Sequence, residues 1–229
     1  MKKMELFMGI IMLCIVYAFS INAKGKSVGV YNQTKDNIVV LVDAGHGGDD
    51  PGKVSLNNDL EKDINLAIAL KLEEILRSQN IEVLMTRRED KGLHQEGASN
   101  KKISDMKTRT DMANKNNVDI VISIHSNSYV DGDVCGAQVF YYGKSEKGEK
   151  LAKFIQNNVS KVSVLNSKRS AKANSDYYII KNVSNPAVIV ECGFLSNVAE
   201  TALLKNEDYQ RKIAWSIHMG ILEYLNEEY

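Results

Sequence analysis

The sequence predicts a single α/β domain: a mostly parallel, twisted six-stranded sheet with helices on both faces. From residue 38 onward, short β-branched runs alternate with amphipathic stretches, the order expected of α/β construction. Runs such as "IVVLV" and "PAVIV" are continuously apolar, as in strands covered on both faces. The chain has 229 residues, 44% of them hydrophobic, enough for one core of ordinary domain size.

The elements follow in order. Residues 38–42 form the first strand, which ends in "VDAGHGG". Ile64, Ala67, Ile68, Leu72, Ile75 and Leu76 recur at helical spacing and predict a helix with one buried face over 64–80. Residues 81–86 are a second strand, followed by a polar loop and a helix over 104–116. A third strand over 118–124 ends in "SIHSN", and a fourth covers 137–142. A helix over 145–162 precedes a fifth strand at 177–181 and a sixth at 187–190, which ends in "ECGFLSN". An amphipathic helix over 208–224 closes the domain.

Functional residues of open α/β sheets gather outside the carboxyl ends of the strands. Three strands end in His46, His125 and Glu191. Two histidines from different strand ends suit zinc, which accepts imidazole nitrogen and carboxylate oxygen. The alternative for His125 is a satisfied histidine near the core. A third ligand is needed, and Glu61 lies close in sequence to the loop of His46. On spacing alone Glu61 serves equally as a helix cap, because Asn58 precedes it by three residues.

Glu191 follows a deeply apolar run. Burial would raise its pKa toward the range of an effective general base, whereas an ion pair with Arg87, Arg109 or Arg169 is the structural alternative. Cys192 points to the opposite face of its strand from Glu191 and reads as core. His94 reads as solvated, and His218, on the last helix, as a partly buried structural residue. The glycine-rich turn after the first strand matches neither the Walker nor the dinucleotide pattern.

At the N-terminus, Lys2 and Lys3 precede an uncharged apolar run over 6–21, the pattern of an export signal or an N-terminal membrane anchor. Residues 1–23 are assigned to that segment, 24–37 to a linker and 38–229 to the catalytic domain. Cys14 lies within the apolar run. Cys135 and Cys192 remain in the domain, and the sequence leaves open whether they pair. With 29 basic and 29 acidic residues, net charge gives no argument for nucleic acid or an anionic membrane surface as partner.

The motifs "VDAGHGGDDPG", "LEKDINLAIALKLEEIL", "RTDMANKNNVDIVISIHSN" and "NPAVIVECGFLSN" resemble, in order along the domain, the zinc-dependent N-acetylmuramoyl-L-alanine amidases of type 3. The resemblance implies a single zinc ion held by His46, Glu61 and His125, with Glu191 as the catalytic carboxylate acting on a zinc-bound water. Asn127, in the family's H-x-N pattern, is expected to orient substrate or a ligand, and Arg109 is grouped with it; a turn role for Asn127 stands beside this. The implied substrate is peptidoglycan, cut between the lactyl group of muramic acid and L-alanine. Membrane contact would be only through the N-terminal segment, and the location extracytoplasmic.

Small size and the absence of a wall-binding repeat resemble the compact sporulation members of the family. These act in forming muramic-δ-lactam in the spore cortex and in germination. An accessory protein partner for targeting or metal retention is a further expectation. The competing readings are a zinc exopeptidase of related fold and a non-catalytic peptidoglycan-binding module.

Overall fold

The structure is a computed structural model and describes residues 38–115, 117–162 and 169–228. The export segment, the linker and the expected helix end at Asn116 lie outside the described residues. Among the described residues no helix is long and apolar enough to cross a membrane.

Six strands, β1 (Val39–Ala44), β2 (Glu82–Met85), β3 (Ile120–Asn127), β4 (Gln138–Tyr141), β5 (Lys172–Ala173) and β6 (Ala187–Phe194), form one sheet in the order β2-β1-β3-β6-β4-β5. All neighbours are parallel except β4 and β6. The expected mostly parallel sheet is therefore present. Its central strands β1, β3 and β6 carry the continuous apolar runs, because helices cover both of their faces.

The helices are α1 (Glu61–Ser78), α2 (Lys101–Lys115), α3 (Glu146–Val162), α4 (Tyr178–Lys181), α5 (Val198–Lys205) and α6 (Glu207–Glu228). Alternate strand residues face opposite sides. Val39, Leu41, Val121 and Ile189 pack with Ala113 of α2 and with Ile179 and Ile180 of α4. On the other face α1 and α3 both pack against α6.

Residues 177–181 are not a strand. The aromatic and β-branched run "YYIIK" favours one locally, but the Asn174 side chain accepts from the N–H groups of Asp176 and Tyr177 and turns the chain into α4. One helical turn lets Ile179 and Ile180, adjacent in sequence, enter the same core, which strand alternation would forbid. The fifth strand is instead the two-residue edge pairing at 172–173. The helix α5 was not expected; Asn197 caps it by accepting from the N–H of Glu200, a local pairing that a short apolar stretch hides.

Candidate metal centre

The carboxyl ends of β1, β3 and β6 lie side by side, so register decides which side chains meet. His125 of β3 and Glu191 of β6 are direct cross-strand partners. His46 sits two residues past β1 on a tight turn closed by a bridge between Gly47 and Asp50. Its φ of 62° is left-handed, an unusual conformation for a residue with a Cβ. The two rings stand edge to face with centroids 5.0 Å apart. Gly45 makes this approach possible, because a Cβ there would lie 2.3 Å from the His125 ring.

Glu61 opens α1. The helix-capping alternative is not realised: the N-cap is Leu60, with no side-chain cap bond, while Asn58 occupies a turn at φ 63°. The Glu61 carboxylate turns to the histidines, its Oε1 3.2 Å from Nε2 of His46 and 3.0 Å from Nδ1 of His125. Main-chain N–H groups of Lys53 and Ser126 donate to the same carboxylate. Burial pushes the Glu61 carboxyl upward, but hydrogen bonds and charge from His125 and His46 outweigh it and hold the group well below the usual carboxylate range.

One donor atom from each of His46, Glu61 and His125 lies within 4.8 Å of the others. Two imidazoles and an ionised carboxylate converging on one point fit a zinc ion by donor chemistry. The far nitrogen of His46, Nδ1, meets Oδ2 of Asp50 at 2.8 Å, the carboxylate–histidine arrangement that orients metal-binding imidazoles. Sequence reading missed Asp50; its signal was the acidic "DDPG", whose second aspartate lies four residues after the histidine.

Glu191 is 7% exposed, and its Oε2 has no hydrogen-bond partner among the described residues. Burial lifts its pKa to about 7, with the charge of His125 pulling in the opposite direction. Among the described residues no arginine pairs with it. Arg87 donates to main-chain carbonyls, Arg109 pairs with Asp43 and Asp105, and Arg169 bonds to Cys135 and Gln138 while lying over the Phe194 ring.

Arg109, 2% exposed, also donates to the carbonyls of Ala44 and His46, so its bonds support the histidine loop. Asn127 ends β3 opposite Phe194; its side chain accepts from the N–H of Ser128, and its carbonyl accepts from the N–H of Leu195 across the sheet. Cys192 is fully buried and burial pushes its thiol up; Cys135 and Cys192 are both free. His218 is buried, with neither ring nitrogen hydrogen-bonded among the described residues.

A cleft of about 320 Å³ opens over His46, His125 and Glu191. Met106, Tyr177 and Ile179 give it an apolar wall, and Lys102 and His94 stand among its polar lining residues. His94 thus belongs to the cleft, although its polar loop suggested plain solvation.

Two histidines and a carboxylate that could hold a metal ion thus converge beside a second, buried carboxylate at the carboxyl edge of the sheet. Residues 40–223 match the type 3 N-acetylmuramoyl-L-alanine amidase family, and the chain belongs to that family. It is 37% identical to the germination-specific N-acetylmuramoyl-L-alanine amidase of Bacillus subtilis, over 100% of this chain and 96% of that one. Among solved structures, it is similar to the CwlD amidase of Clostridioides difficile in complex with the GerS lipoprotein. The TM-score is 0.80 at 39% identity, covering 82% of this chain and 98% of that one. The catalytic domain of CwlV from Paenibacillus polymyxa gives a TM-score of 0.73 at 32% identity, with coverages of 82% and 98%.

Proposed function

We propose that this chain hydrolyses the amide between the lactyl group of N-acetylmuramic acid and the L-alanine of the peptidoglycan stem peptide. His46, Glu61 and His125 hold zinc, and Glu191 is the catalytic carboxylate. The observation that carries this reading is the buried carboxylate with an unpartnered oxygen, set beside the three converging donors in a chain of the amidase family.

Zinc, when bound, supplies Lewis acidity to the reacting water and carbonyl. The remaining work falls to side chains. Glu191 accepts a proton from the attacking water at Oε2 and passes it to the departing amine nitrogen, so the products are a lactyl carboxylate and a free peptide amine. Asp50 keeps the His46 ring oriented, and the N–H groups of Lys53 and Ser126 hold the Glu61 carboxylate in place.

The germination-specific relative supports a role in spore cortex modification, where peptide removal precedes muramic-δ-lactam closure. That role requires an extracytoplasmic location, supplied by residues 1–23 as signal or anchor. The complex formed by the CwlD relative supports an accessory lipoprotein partner here as well. Mass spectrometry of purified peptidoglycan incubated with the protein tests the reaction. Stem peptides beginning at L-alanine are expected, with release abolished by a chelator and restored by zinc. Cleavage of free peptides but not of muramoyl peptides would replace this reading with an exopeptidase.

A further inference from the structure

Arg87 follows β2 and is 2% exposed, yet it makes no ion pair among the described residues. Among the described residues its hydrogen bonds run only to main-chain carbonyls. Nε donates to Ala44 at 2.9 Å, Nη2 to Gly45 at 3.0 Å and to Lys62 at 2.8 Å, and Nη1 to Glu89 at 3.2 Å. Burying a cation is costly, and here it is offset by the more distant charges of Asp43, Asp90 and Asp63, against repulsion from Arg109. The fold retains the cation at the junction of three segments: the end of β1 leading to His46, the first turn of α1 next to Glu61, and the exit of β2.

The loop runs close against it: Gly47 has a φ of 131°, and a Cβ there would lie 2.4 Å from the Lys91 carbonyl oxygen and 2.9 Å from the Arg87 Nε. Arg109 reaches the carbonyl of His46 but none of its bonds goes to α1. From α1 itself, Asn65 donates to the Gly45 carbonyl at 3.4 Å and Lys62 Nζ to the Gly48 carbonyl at 2.9 Å, the first a longer contact and the second from a more flexible side chain than the Arg87 fork.

We propose that Arg87 is a positioning residue that sets the distance between the His46 loop and the Glu61 helix turn, and so fixes two of the three metal donors relative to one another. The planar, forked guanidinium is suited to this because separate N–H groups point to separate segments. A lysine ammonium carries its donors on one nitrogen and cannot span them. The proposal rests on reading the His46, Glu61 and His125 cluster as a metal site.

The test uses the full chain with Arg87→Lys and Arg87→Gln, and Arg88→Gln as control, since Arg88 is exposed and pairs with Glu73. Zinc affinity is measured by competition with a chromophoric chelator, cobalt(II) coordination by its visible absorption, and folding by circular dichroism. The Lys variant is expected to fold, to bind zinc roughly 10- to 100-fold more weakly and to show an altered cobalt spectrum, with the control unchanged. A folded Lys variant with the wild-type affinity and spectrum overturns the proposal while leaving the metal site standing. Failure of both variants to fold also overturns it, because Arg87 would then serve overall stability. Wild-type protein that binds neither metal removes the metal reading and this proposal together.

Discussion

Replacing Glu191 with Gln separates the two consequences of burying this carboxylate. Its pKa stands at about 7 in the fold against an ordinary 4.5, and each pH unit of that gap corresponds to about 1.4 kcal/mol. The ionised group therefore costs the metal-free fold on the order of 3 kcal/mol. The sign follows from proton binding. Below 4.5 the folded and unfolded chains both hold the proton and the cost is absent. Between 4.5 and about 7 only the folded chain holds it, so stability falls as pH rises, and above 7 the loss is complete. Glu191→Gln removes the titration. Urea unfolding of chelator-treated protein should show the variant gaining on wild type from pH 4 to pH 8, with no further gain above. Peptide release by the zinc-loaded variant should fall by about 10² to 10⁴. A stability difference that does not change with pH would refute the desolvated-carboxylate argument, and full activity would remove Glu191 from the reaction.

Asp50→Ala frees Nδ1 of His46; zinc affinity is expected to drop roughly 10- to 100-fold with little change in melting, as read by chelator competition and circular dichroism. Gly45→Ala places a Cβ 2.3 Å from the His125 ring and should displace that ring, giving a folded protein whose zinc content by elemental analysis falls well below wild type. Arg109→Met leaves Asp43, its buried partner, without a counter-charge, and urea unfolding should show a loss of about 3 to 5 kcal/mol.

The residue types of the site and their placement at strand ends were legible in the sequence. His46, His125 and Glu191 each follow a run of β-branched residues, and a strand's end is where an α/β sheet exposes functional groups. The parallel sheet was legible for a related reason, since strands buried on both faces need apolar residues at every position. Glu61 stood undecided between cap and ligand, because the spacing from Asn58 is the same for both. The backbone set the cap aside: Asn58 turned left-handed, Leu60 became the N-cap, and the Glu61 carboxylate lies between two imidazoles. The stretch at 177–181 misled because propensity reports local preference, whereas burying two adjacent isoleucines in one core required a helical turn.

The sequence by itself determined the fold class, which depends on periodicity along the chain, and it placed His46, His125 and Glu191 at strand ends; Glu61 was singled out only by the resemblance to the amidase family. Only the tertiary structure decided the cross-strand pairing of His125 with Glu191, the support of Asp50 for His46, and the ties from Arg87 and Arg109 to the histidine loop. These contacts join residues through register and long-range burial, and such distances are set by how the layers pack.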